Sequence, residues 1–235
     1  IECWGANGYG ELGSPAGTFD VLAVGYHNTC AIPSSGSLEC WGRAAYGHGS
    51  PPSGSFEYAT SGDFHSCALT ATDSIECWGL NDYGQADPPS GTFQNVSAGF
   101  RHTCGVRTSG VVECWGWNGY GTLGTDDTTQ RSSARDIVQG LPAEEGINDV
   151  KCGYYHCCAL TRRGRLFCWG YNNHGQLGDY STTQRNTAVE VSSGSDTAST
   201  WLRDVVHFAV GDYSTCAYAA DDDLGDYLES CPGEP

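Results

Sequence analysis

The sequence predicts an all-β chain folded as a β-propeller of about five blades. Three observations carry that expectation: a tandem repeat of constant length, short apolar pieces separated by turns within it, and cysteines spaced as hairpins require. Cys3, Cys40, Cys77 and Cys114 stand 37 residues apart, and the next step, to Cys168, is 54. A second marker, Gly-x-x-x-x-Cys, keeps the same phase at Gly25–Cys30, Gly62–Cys67, Gly99–Cys104, Gly153–Cys158 and Gly211–Cys216, which makes five units. Self-similarity at this period belongs to solenoids, propellers or arrays. Inside a unit the pieces are FDVLAVG, HTCGV and VVECWG, divided by Gly-, Ser- and Pro-rich turns, with no sustained helical period. Several strands per unit, radially repeated, describe a propeller blade.

The cysteines come next. Of the 13, Cys30/Cys40, Cys67/Cys77, Cys104/Cys114 and Cys158/Cys168 are each 10 apart, around a polar turn. Folding CAIPSSGSLEC as a hairpin sets Ile32 against Leu38 and Cys30 against Cys40. The same register pairs Leu69 with Ile75, Val106 with Val112 and Leu160 with Leu166. Opposed antiparallel positions bring Cβ atoms to roughly 4.5–5.5 Å, within reach of a disulfide. Zinc ligands usually come as close pairs two to four residues apart, and these do not. Cys152 and Cys157 flank Gly-Tyr-Tyr-His and form a fifth staple across a short turn. Disulfides on this scale imply an oxidising compartment.

The ends raise the question of closure. Cys216 opens a last hairpin that no Cys-Trp-Gly follows, while the chain begins with IECWG. The N-terminal strand is therefore expected to complete the last blade, with Cys3 bonded to Cys216 and Cys231 left over as a free thiol or an intermolecular link. The rival partner for Cys216 is Cys231, in which case Ile1–Gly5 belongs to a blade whose other half is absent. Beginning inside a repeat, the chain reads as a processed product or a piece of something longer. Its expected division is a single propeller domain over 1–220 and an acidic C-terminal tail over 221–235.

Composition narrows the partners. The 235 residues carry 28 Asp+Glu against 11 Lys+Arg, a formal net charge of -17. Such a surface repels phosphate backbones and anionic membranes, so no nucleic acid is expected. No apolar run approaches the length of a membrane span.

The run Ala-Gly-x-x-His-Thr-Cys (98–104), then Cys-Trp-Gly-x-Asn-x-x-Gly-x-Leu-Gly (114–124), resembles the repeat of the regulator of chromosome condensation family. The resemblance extends over nearly the whole chain to Cys216. Two units, LGTDDTTQRSSARDIV (123–138) and LGDYSTTQRNTAVEV (177–191), also resemble the full-length family arm, which shrinks to SPAGTF (14–19) in a 37-residue unit. Family members commonly have seven blades, against five units here. The resemblance implies a binding scaffold, and bacterial β-lactamase inhibitor proteins are one example. The family's nuclear role, nucleotide exchange on a GTPase with chromatin binding, fits poorly with an acidic, cysteine-rich chain.

Each motif residue has a physical reading. Trp4, Trp41, Trp78, Trp115 and Trp169 recur at blade period and suit wedges between blades. Gly10, Gly47, Gly84, Gly121 and Gly175 suit left-handed turns. Asn7, Asn81, Asn118 and Asn172, with Ala44 as the exception, can bond their own turn backbone. His65, His102 and His156 share one position with Asn28 and Ser214; a metal ligand or catalytic base would not be interchangeable with those, so they read as turn-stabilising hydrogen-bonders. Nucleophile elbows, phosphate-cradling loops and metal-spaced His pairs are missing from the sequence, so the expectation is no catalytic residue, no cofactor and no metal. Asp126–Asp127 and Asp221–Asp223 read as solvated acids.

What remains is surface. Tyr9, Tyr46, Tyr83 and Tyr120, with His174, fill one turn position, and Tyr26, Phe64, Phe100, Tyr154, Tyr155 and Tyr213 fill another loop. Equivalent positions in a propeller lie around a rim, so the chain is expected to carry aromatics on one face or on both. Alternatively, each ring covers the adjacent glycine turn. Tyrosine is a favoured interface anchor. Asn95, two residues before Ser97, forms an N-glycosylation sequon. The function expected is a non-enzymatic, secreted or cell-surface protein-interaction or self-assembly module; the alternative is a discrete soluble binder, an enzyme inhibitor or lectin-like protein.

Overall fold

The computed structural model describes residues 1–47, 49–193 and 201–220, with 131–136 as backbone alone. Among these residues sixteen strands form five separate antiparallel sheets, one per repeat. Blade 1 holds β1 (Phe19–Val24), β2 (Asn28–Pro33) and β3 (Glu39–Gly42), and blade 2 holds β4 (Phe56–Ser61), β5 (His65–Thr70) and β6 (Ile75–Gly79). Blade 3 has four strands, β7 (Phe93–Ala98), β8 (His102–Arg107), β9 (Val112–Gly116) and β10 (Arg131–Ile137). Blade 4 has β11 (Ile147–Cys152), β12 (His156–Thr161), β13 (Leu166–Gly170) and β14 (Arg185–Glu190), and blade 5 has β15 (Val205–Val210) and β16 (Thr215–Ala219). The repeat lengths explain the strand counts. The long arms after Cys114 and Cys168 supply the fourth strands β10 and β14, which the short arms of the 37-residue units cannot.

The expected register is present. Cys30 faces Cys40, Cys67 faces Cys77, Cys104 faces Cys114 and Cys158 faces Cys168. Leu69–Ile75, Val106–Val112 and Leu160–Leu166 pair as expected, while the first hairpin ladder ends at Ala31–Glu39. All four pairs are disulfides, and Cys152–Cys157 is a fifth.

The core lies between the sheets, as four slabs. In three of them the cysteines of one blade pack with the tryptophan of the next: Cys30 with Trp78, Cys67 with Trp115, and Cys104 with Trp169. Three of the repeated tryptophans are also latched. Trp41 Nε1 donates to Glu11 O at 2.9 Å, Trp115 Nε1 to Gln85 O at 3.0 Å and Trp169 Nε1 to Thr122 O at 2.9 Å, all acceptors eight residues after the preceding repeat's cysteine.

The expected closure by the N-terminus is corrected. Ile1–Gly5 form no strand, and among the described residues the last sheet holds β15 and β16 alone. IECWG at 1–5 has the same five residues as β6, yet it lies along blade 1, sharing a cleft with Leu22, Val24 and Asn28. The cause is local anchoring. Glu11 O holds Trp41, the Glu11 carboxylate lies 3.4 Å from His27, and Tyr9 meets the His27 ring edge-on at 4.9 Å. Cys3 is accordingly a free thiol, not the partner of Cys216, which is disulfide-bonded. Cys231, the rival partner, and the 221–235 tail with Asp221–Asp223 lie outside the described residues. Among the described residues no helix is long and apolar enough to cross a membrane.

Candidate interaction face

Both aromatic rows reach the same face because the strands alternate in direction. The turn after the first strand of each blade and the loop leaving its third strand fall at the same end of the sheet, while the second turn falls at the other. The rows merge. Tyr46 meets Phe64 at 6.0 Å, Phe64 meets Phe100 at 5.2 Å, and Phe100 packs on Tyr154 at 4.2 Å and Tyr155 at 5.2 Å. The chain continues through Tyr120–Tyr155 at 4.9 Å and Tyr154–Tyr213 at 5.7 Å to His174–Tyr213 at 5.3 Å. Arg101 lies over Phe64, Tyr83 and Phe100, and Arg43 bridges Tyr9 and Tyr46. Tyr9, Tyr26, Tyr46, His174 and Tyr213 remain exposed, and the other rings are half-buried against one another. The rings thus pack across blades as well as over their own turns.

Several members escaped the sequence reading. Trp117 and Tyr171, each directly after a Cys-Trp-Gly, join the patch through Tyr120 at 5.3 and 4.9 Å. The signal was their shared offset from that motif.

Turn geometry holds these rings in place. Asn7, Asn81, Asn118 and Asn172 each accept through Oδ1 from the backbone N–H five residues on, at 2.9–3.0 Å. In the second unit Ala44 cannot, and the chain there makes a short 3₁₀ turn, Ala45–Gly47.

The histidines do something other than stabilise their own turns. Asn28 Nδ2 donates to Ser66 Oγ at 3.0 Å, and His65, His102 and His156 bond through Nε2 to Thr103 Oγ1, Cys157 Sγ and Thr215 Oγ1 at 2.7, 3.1 and 2.9 Å. Every link runs from one blade to the next. Thr103 Oγ1 donates to Gln85 O, so His65 Nε2 carries the proton toward it. Burial holds His102 at about 3, with His156 adding to the effect, and holds His156 itself at about 4. Both are neutral in ordinary conditions. A ring nitrogen of His102 and the sulfurs of Cys152 and Cys157 lie within 4.8 Å of one another, but those sulfurs are bonded together and so are not metal-ligating thiolates.

Inside this hydrogen-bonded ladder runs a column of glycines. A Cβ on Gly25, Gly62 or Gly153 would drive into the carbonyl oxygen of Gly62, Gly99 or Gly211, and one on Gly99 would lie 2.7 Å from Gly153 O. Only hydrogen fits where neighbouring backbones approach so closely. All five glycines line one central cavity of about 350 Å³, which also holds Tyr26, Asp63 and Asp212. The Asp63 carboxyl is pushed up to about 7, chiefly by burial and then by the Asp212 charge. Desolvation also raises the phenols of Tyr154, Tyr155 and Tyr213. Asn95 stands half-buried on β7, its Oδ1 accepting the Val150 N–H of the next blade at 3.3 Å.

Fold and site together define a disulfide-stapled propeller with an aromatic face, and the comparisons with known proteins agree on the scaffold. The Regulator of chromosome condensation (RCC1) repeat matches residues 59–85, 93–122 and 147–176 in one form and 109–160 and 163–218 in another. The chain belongs to the regulator of chromosome condensation repeat family. It is 34% identical over 79 residues to the Arabidopsis thaliana RCC1 domain-containing protein RUG3, mitochondrial, covering 33% of this chain and 16% of that one. Over 45 residues it is 42% identical to the human probable E3 ubiquitin-protein ligase HERC4, covering 19% and 4%. Among solved structures it superposes on human WBSCR16 with TM-score 0.73 at 19% identity, over 88% of this chain and 60% of that one. The ectodomain of the Physcomitrella patens receptor kinase CR4 gives TM-score 0.65 at 24% identity, over 95% and 54%. The chain thus spans a small fraction of these curated relatives and little more than half of these solved proteins.

Proposed function

We propose that the chain acts outside the cell as a non-enzymatic protein-interaction module, with the merged aromatic face as its contact surface. The observation that carries this is the unbroken run of rings from Tyr46 to His174 on one face, exposed at Tyr9, Tyr26, Tyr46 and Tyr213. Tyrosines combine apolar area with a polar tip and lose little rotamer freedom on contact, which suits them to anchor a partner. Five short-range disulfides favour an oxidising compartment, and the same fold forms a receptor-kinase ectodomain in Physcomitrella patens. Binding by this face also accommodates a discrete inhibitor or lectin-like role.

The test is a display screen against secreted proteins and a glycan array, using the wild type, a Tyr46→Ser/Tyr213→Ser variant, and a Thr72→Lys variant in the opposite turn. The expected outcome is a protein binder lost at least about tenfold by the tyrosine pair and unaffected at Thr72. Loss at Thr72 alone would move the function to the other face, and a glycan ligand would favour the lectin-like reading.

A further inference from the structure

The glycine column sets a second feature at the centre of the aromatic face. The residues after the glycines are, in order, Tyr26, Asp63, Phe100, Tyr154 and Asp212; Tyr26, Asp63 and Asp212 line the cavity itself, and the Asp63 and Asp212 charges act on the Tyr154 and Tyr213 phenols beside it. Phe100 and Tyr154 pack at 4.2 Å, and Tyr213 adds a third ring at 5.7 Å from Tyr154. Asp63 lines the cavity, is only 8% exposed, and makes no hydrogen bond or ion pair among the described residues. Buried carboxylates are normally paired. The two cations of this face lie over rings, Arg101 at 5.2–5.4 Å from those of Phe64, Tyr83 and Phe100 and Arg43 over Tyr9 and Tyr46.

A buried, partnerless acid, a second acid and a wall of aromatic rings call for a positive charge with an organic body. Calcium or magnesium wants six or more oxygen ligands, whereas the mouth offers two carboxylates among ring faces and glycines. Aromatic faces attract ammonium and guanidinium groups, and carboxylates accept their hydrogen bonds.

We propose that this mouth is a socket for one cationic side chain, arginine or lysine, projected by the protein that docks on the aromatic face. The proposal rests on the reading of that face as a protein contact surface. It also carries a pH signature. The charged groups facing the socket are Asp63, Asp212 and the phenols of Tyr26, Tyr154 and Tyr213, with Arg101 at its edge. Burial and the neighbouring Asp212 charge push the Asp63 carboxyl up to about 7. It is neutral below and ionised above, so cation binding strengthens as pH rises from 6 to 8.

The test titrates the full chain with the peptide Gly-Ser-Gly-Arg-Gly-Ser-Gly and its Arg→Gln counterpart, followed by tyrosine and tryptophan fluorescence at near-physiological salt. The expected result is saturable binding of the arginine peptide only, weakened about tenfold by Asp63→Asn or by lowering pH from 8 to 6. The exposed-site control Glu57→Gln leaves it unchanged, and thermal melts verify that each variant is folded. Equal binding by Asp63→Asn, equal loss in Glu57→Gln, or displacement by millimolar calcium would overturn the socket. If the socket fails while Tyr46→Ser/Tyr213→Ser still abolishes partner binding, the face reading stands alone; if neither variant affects partner binding, the face reading falls too.

Discussion

Compare the seam between blades 3 and 4 with the free face of blade 1. Trp169 is 0% exposed in that seam, its indole N–H latched to Thr122 O. Trp4, at the same repeat position, is 87% exposed. The contrast repeats along the first strands: Ala59, Val96, Val150 and Phe208 are buried, but their equivalent Leu22 is 52% exposed. The motif residues are nearly the same in both places, so what differs is whether a blade stands before them. Stability in this chain is a property of neighbouring pairs, as repeat architectures generally show. The first three seams combine a tryptophan wedge, a hydrogen-bond rung and a glycine contact, and the fourth has the rung and the glycine contact.

The largest effect expected from that contrast is at the wedge. Trp169→Ala should cost about 3–5 kcal/mol in urea unfolding, and Trp4→Ala less than about 0.5 kcal/mol. Next comes the glycine contact. Gly62→Ala forces a Cβ into the Gly99 carbonyl and should cost about 3 kcal/mol, whereas Gly8→Ala, where an added Cβ meets nothing, should be silent. The rungs predict a pH dependence. His102 and His156 have folded pKa values depressed to about 3 and about 4 from an ordinary 6.5, so the unfolded chain binds more protons below pH 6.5. Stability is therefore full above that pH and falls on acidification, by about 1.4 kcal/mol per pH unit for each histidine, until pH 4 is approached. Melts between pH 7 and 4.5 check this, and a flat profile would count against the buried rung. The smallest effect is in the turns. Asn118→Ala strands a buried Leu123 N–H and should cost roughly 1–2 kcal/mol, with Asn7→Ala on its exposed turn costing less.

Much of this was legible in the sequence, for reasons that name its limits. The 10-residue cysteine spacing is a local constraint, since a hairpin with that turn places both residues opposite each other, and the pairing followed. The Cys-Trp-Gly row and its asparagines were equally readable, because their partners lie within one unit or its neighbour. Closure was not. IECWG identifies a third-strand sequence but not the blade beside which it lies, and the contacts of Tyr9 and Glu11 with blade 1 decided that. The histidines were read locally, though their partners are offset by one repeat: Ser66, Thr103, Cys157 and Thr215 each follow the matching position in the next unit. Asp63 was hidden because the loops after the glycines were grouped by their aromatic content, which blurred the first position after each glycine with the second.

Hydrogen exchange compares the two regions in one sample. β1 and β11 are equivalent first strands, but β11 has a blade before it, whose Asn95 and Ser97 side chains accept the Val150 and Cys152 N–H groups at 3.3 and 2.9 Å. If blades depend on their neighbours, amides of Ile147–Cys152 should exchange only with global unfolding, and those of Phe19–Val24 at least about tenfold faster through local opening. Equal protection in the two strands would contradict the account, because each blade would then be stable without a blade before it.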